Sequence, residues 1–127
     1  MGAMELNDTI ARDKAKLSEL EGELASTFER WRRRTPDAFV FTIKGHRYIT
    51  HRKRLADPDP SIRRERALAR HLGDKLACVC WQLPKTLRLD RPRLAAFVRC
   101  LERRWPETRH ALEPRHPSWF DSGVASL

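Results

Sequence analysis

Between Lys44 and Arg54 the chain reads Lys-Gly-His-Arg-Tyr-Ile-Thr-His-Arg-Lys-Arg, and seven of these eleven side chains are lysine, arginine or histidine. Such a run suits a polyanion, because each phosphate it neutralises releases condensed counterions. Arg30, Arg32, Arg33 and Arg34 lie just upstream and extend it towards one continuous patch. Tyr48 sits among the cations, where an aromatic ring can stack on an unpaired base. The contacts expected with nucleic acid are therefore Arg30, Arg32, Arg33, Arg34, Lys44, Arg47, Tyr48, Arg52, Lys53 and Arg54. The bland alternatives are a solvated basic face or a patch that meets an acidic protein surface. No zinc-finger spacing and no RNP-type aromatic strand accompanies the run.

Catalytic patterns are weaker. His46 and His51 flank the run and invite comparison with a metal-free nuclease, but an odd separation places them on opposite faces of a simple strand. The sequence holds no glycine-rich phosphate loop, no nucleophile elbow and no convincing pair of carboxylates. The expectation is a protein without catalytic residues, without a metal and without a cofactor. Cys78 and Cys80, read as helical, point in different directions and make a poor chelate, even with Cys100, His71 or His110. Core packing is the expected role of all three thiols. Trp119 and Phe120 form an aromatic pair in a proline-flanked tail, which either folds back or anchors a partner protein.

Charge and composition bound the class. The net charge is +9, with 20 arginines and 6 lysines. It is unevenly placed: residues 1–29 hold three bases and seven acids (−4), and residues 30–54 hold nine bases and one acid (+8). A local positive field of this kind speeds association with polyanions and weakens in salt. Hydrophobic residues make up 40% of the 127, enough for one core, and charged residues 34%. No apolar run approaches a membrane span, so no membrane partner is expected. Three cysteines and no secretory leader point to reduced thiols and a cytoplasmic setting.

The elements that must position these residues are read from periodicity. Apolar residues at Leu6, Ile10, Leu17, Leu20, Leu24, Phe28 and Trp31 form one stripe and predict a helix over 5–34, ended by Pro36. Its first half is acidic and its end basic, so an antiparallel homodimer through this helix would join opposite charges. Residues 38–51 read as a β-hairpin, with β-branched and aromatic residues on both sides of Gly45. Asp59-Pro60 starts a helix running to Leu83, with a break possible at Gly73. Thr86–Leu89 is too short to assign. Asp90 caps a helix over 91–105.

The fold expected is α+β and mostly helical, with a long N-terminal helix, a β-hairpin and two helices packed on the hairpin. Residues 1–3 read as an added leader, 4–106 as one helical domain with the hairpin inserted at about 38–51, and 107–127 as an extended C-terminal tail. The function expected is non-catalytic binding of DNA or RNA through the hairpin and the basic end of the first helix. The alternative is an adaptor or inhibitor subunit of a larger complex.

Overall fold

A computed structural model describes residues 3–120, with side chains described from residue 15 onward; the expected leader and the last seven residues of the expected tail fall at or beyond those limits. The fold is α+β and mostly helical. Helix α1 spans Ala3–Arg34 and strand β1 Phe41–Lys44. A π-helical turn at Tyr48–Arg52 leads to α2 (Pro58–Ala69), and a 3-10 turn at Arg70–Lys75 leads to β2 (Leu76–Gln82). Helix α3 (Arg91–Arg104), β3 (Arg109–Glu113) and a short 3-10 turn at Pro117–Phe120 complete the described chain.

The strands form one sheet in the order β1-β2-β3, and both pairings are parallel. The expected hairpin is therefore incorrect. Parallel neighbours require a crossover, here supplied by α2 between β1 and β2 and by α3 between β2 and β3. The half of the hairpin expected at Tyr48–Thr50 coils instead, burying Ile49 and Thr50. Strand propensity reflects the fit of a side chain to a half-buried surface, so tertiary burial overrides it here. Gly45, read as the hairpin turn, is required for another reason. A Cβ on it would lie 2.1 Å from the Trp81 ring, so only glycine lets the chain pass there.

The helix expected from 60 to 83 also divides. α2 begins two residues earlier, at Pro58 after Asp57, and ends at Ala69. Gly73 adopts φ +60 and ψ −136, outside any helix, and the chain then enters β2. Residues Val79, Trp81 and Leu83 face the core by alternation, whereas Cys78, Cys80 and Gln82 face the other way. The two cysteines thus share one sheet face, contrary to the helical reading. The tail is likewise more structured than expected, since it supplies β3. By contrast, α1 and α3 match their expected spans closely, and the Asp90 carboxylate caps α3 by accepting from the Arg93 N–H at 3.1 Å.

Both crossover helices pack on one side of the sheet. Ile62 and Ala69 from α2, and Leu94, Phe97, Cys100 and Leu101 from α3, join Val79, Trp81 and Leu83 in one buried cluster. At its centre Trp81 donates from Nε1 to His110 Nδ1 (3.1 Å), and His110 Nε2 lies 3.1 Å from the Trp105 carbonyl. An indole N–H only donates, so Nδ1 accepts and Nε2 carries the proton. Burial holds the His110 pKa below its ordinary value, which keeps this neutral form. On the opposite side of the sheet, Thr42, Lys44, Cys78, Cys80, Gln82, Arg109, Ala111 and Glu113 are exposed or half-buried.

Helix α1 joins the body through its second half. Phe28 is buried, Glu21 pairs with Arg64, and Glu29 lies 2.8 Å from His71 Nδ1. Its last carbonyls are capped by Lys75, whose Nζ donates to Arg32 O (2.6 Å), Thr35 O (2.9 Å) and Thr35 Oγ1 (2.8 Å). A cation there also complements the helix dipole. Lys75→Met is expected to lower stability by about 1–2 kcal/mol, because it leaves those acceptors without a donor. Urea denaturation checks this, and an unchanged midpoint contradicts the assigned cap. Among the described residues no helix is long and apolar enough to cross a membrane.

Candidate functional site

Parallel strands send all their carboxyl ends to one edge, and open α/β sheets present their ligand-binding groups outside that edge. Here Lys44 aligns with Cys80, and Gln82 with Glu113, in the last rungs of the two ladders. Gly45 continues the first ladder by donating its N–H to Cys80 O at 2.8 Å, and Leu83 continues the second by donating to Glu113 O at 2.9 Å.

Each chain segment leaving this edge carries a cation. Lys44 ends β1 and Arg47 follows it, Lys85 follows β2, and Arg115 follows β3, all four with exposed side chains. His51, from the π-helical turn, feels both arginines of the outer segments. Its pKa is lowered first by burial, then by the positive charges of Arg47 and Arg115. Its Nδ1 lies 2.8 Å from Thr50 Oγ1. Glu113 is the acid of the edge, with one carboxylate oxygen 3.5 Å from Arg115 Nη2 and the other 4.0 Å from Cys80 Sγ. Burial, followed by the Glu113 charge, pushes the Cys80 thiol up. A thiol of raised pKa remains protonated and is a poor nucleophile.

The loop carrying Gly45, His46 and Arg47 is fixed from beneath. Glu65 of α2 accepts a hydrogen bond from the His46 backbone N–H, and burial pushes its carboxyl up to about 7. The His46 ring accepts the Tyr48 N–H at Nδ1 (3.0 Å). Lys44 and Arg47 therefore stand on a backbone held by β2, by α2 and by its own histidine.

The sequence-predicted residues separate into three groups. Lys44, Arg47, Tyr48 and Arg52 belong to the carboxyl edge or its rim, and Tyr48 is 51% exposed with Lys53 Nζ 5.9 Å from its ring centroid. Lys53 and Arg54 are engaged in holding the loops. Lys53 Nζ donates to Asp57 O (2.5 Å) and Ser61 Oγ (3.0 Å), and Arg54 donates to Thr86 Oγ1 (3.0 Å) and Thr86 O (2.9 Å). Arg30, Arg32, Arg33 and Arg34 end α1 beside Lys75, which immediately precedes β2, and so lie by the amino ends of the strands. A four-residue strand of about 13 Å stands between them and the Lys44 edge. The basic run is thus two patches.

Lys85 and Arg115 escaped the sequence reading, because only the parallel pairing of distant segments brings them to Lys44. Trp119 is part of the core: it is 5% exposed and donates from Nε1 to Leu87 O at 2.8 Å. Phe120 beside it is 74% exposed. A further arginine group, Arg63, Arg66, Arg70 and Arg104, lines a cavity of about 260 Å³ between α2 and α3. It is largely answered by acids: Asp59 takes Arg63 (3.0 Å) and Arg104 (2.6 Å), and Glu107 takes Arg66 (2.6 Å).

Comparison with known proteins gives one family. Residues 23–127 match the model of a family described as a protein of unknown function, DUF72. No curated protein and no solved structure matches the chain.

Proposed function

The chain belongs to the DUF72 family, whose description assigns no activity, and from that premise we propose that it is a non-catalytic nucleic-acid-binding protein working through the carboxyl edge of its sheet. One observation carries the reading: Lys44, Arg47, Lys85 and Arg115 leave three adjacent parallel strands at the same edge. Cations at or just beyond the ends of adjacent strands suit successive phosphates better than cations on a mobile tail, since less ordering accompanies binding. The exposed Tyr48 ring on the rim supports an unpaired strand as ligand, because a base can stack on it. The raised Cys80 pKa supports binding without covalent chemistry.

Fluorescence anisotropy with a labelled single-stranded oligonucleotide, at two salt concentrations, tests the proposal. Neutralising four phosphates of a single strand predicts that a fourfold rise in salt weakens binding about 50-fold. Replacing Lys44, Arg47, Lys85 and Arg115 together by glutamine is expected to remove that dependence, whereas replacing Arg32, Arg33 and Arg34 is expected to leave most of it. Absence of binding at low salt, or equal losses from the two sets, refutes the assignment.

A further inference from the structure

We propose that α1 pairs antiparallel with α1 of a second copy of this chain, along the stripe Leu17, Leu20, Leu24 and Trp31. The pairing rests on features separate from the sheet edge. These four side chains are 42, 51, 37 and 43% exposed, an unusual state for large apolar groups in a row. Their spacing of three, four and seven residues is the a/d repeat that a partner helix covers. The helix has 32 residues, about 48 Å of length, and residues 15–20 are all exposed.

Charge selects the occupant and its direction. With 3.6 residues per turn, Glu23 and Arg30 fall on the same flank of the stripe, on the side away from Phe28 and the body. Neither forms an ion pair among the described residues. In an antiparallel pair the same flank of each helix meets its counterpart, so Glu23 of one copy faces Arg30 of the other. Two-fold symmetry repeats the contact. Residues around it reinforce the match, with Glu19 near the acidic end and Arg33 and Arg34 near the basic one. A parallel pair sets arginine against arginine at the end of the helix, a repulsive arrangement.

Sedimentation velocity over a dilution series tests this. The parent protein is expected to dimerise reversibly. Leu20→Glu with Leu24→Glu is expected to give a monomer with unchanged far-UV circular dichroism of the body. Glu23→Arg alone and Arg30→Glu alone are each expected to weaken the dimer about tenfold, and the two together to restore it. A parent that remains monomeric throughout overturns the proposal, as does a dimer indifferent to the leucine substitutions. Failure of the double charge swap to recover what each single swap loses overturns the antiparallel register.

Discussion

Gly45→Ala is expected to cost the fold about 3 kcal/mol or more and to weaken nucleic-acid binding at the same time. The added methyl would lie 2.1, 2.4 and 2.8 Å from three carbons of the Trp81 ring. Trp81 is fully buried, edge-to-face with Phe97 at 5.3 Å and hydrogen-bonded to His110. It therefore has no free space to move into, and overpacking of such a core is paid in displaced backbone. The backbone that gives way is the loop holding Lys44 and Arg47, together with the Gly45 N–H bond to Cys80 O. Guanidinium denaturation measures the first effect and anisotropy the second. A loss of stability below about 1 kcal/mol would show that the ring and the loop are not in contact as described.

Glu65→Gln is expected to stabilise the protein in alkali and leave it unchanged in acid. The carboxyl titrates at about 7 in the folded chain against 4.5 in an open one. Below pH 4.5 both states hold the proton and no difference arises. Between 4.5 and 7 the unfolded chain releases its proton while the folded chain keeps it, so stability falls as pH rises. Above 7 both are ionised and the loss is complete, at about 3 kcal/mol as an upper figure from the size of the shift. Glutamine is neutral throughout and still offers an oxygen to the His46 N–H. Its advantage should therefore grow from nil near pH 4 to a few kcal/mol near pH 8. His110 works in the opposite direction: its lowered pKa means stability is lost as pH falls below 6.5. That slope is present in parent and variant alike, and it cancels in their difference. Urea melts across this range are decisive, and a difference independent of pH would place Glu65 in water.

Legibility in the sequence followed the range of the interactions. α1 and α3 were readable because helical periodicity, the Asp90 cap and the flanking prolines all act within a few residues. β2 was not, since Leu72, Leu76, Val79 and Leu83 fit a helical stripe, while the strand alternation of Val79, Trp81 and Leu83 spans only five residues. Short apolar runs carry that ambiguity by nature. β3 was hidden because its core-facing group next to Trp81 is His110, which no hydrophobic pattern marks. Of the candidate site, Lys44, Arg47 and Tyr48 were found from local charge and aromaticity. Lys85, Arg115 and Glu65 were not, because parallel pairing and a crossover helix bring them in from 41, 71 and 21 residues beyond Lys44. Lys53 and Arg54 show the complementary limit: composition shows a cation but not the Asp57, Ser61 and Thr86 groups it bonds within the fold.

The two outer strands of the sheet are short, four residues in β1 and five in β3. Each offers few amide groups to an incoming chain, and each carries ionised side chains, Lys44 on one and Arg109 with Glu113 on the other. Fibre growth by strand addition needs a long, flat, uncharged template. Among the described residues neither margin presents one, so brevity and charge oppose strand addition at the very strands that also frame the candidate edge.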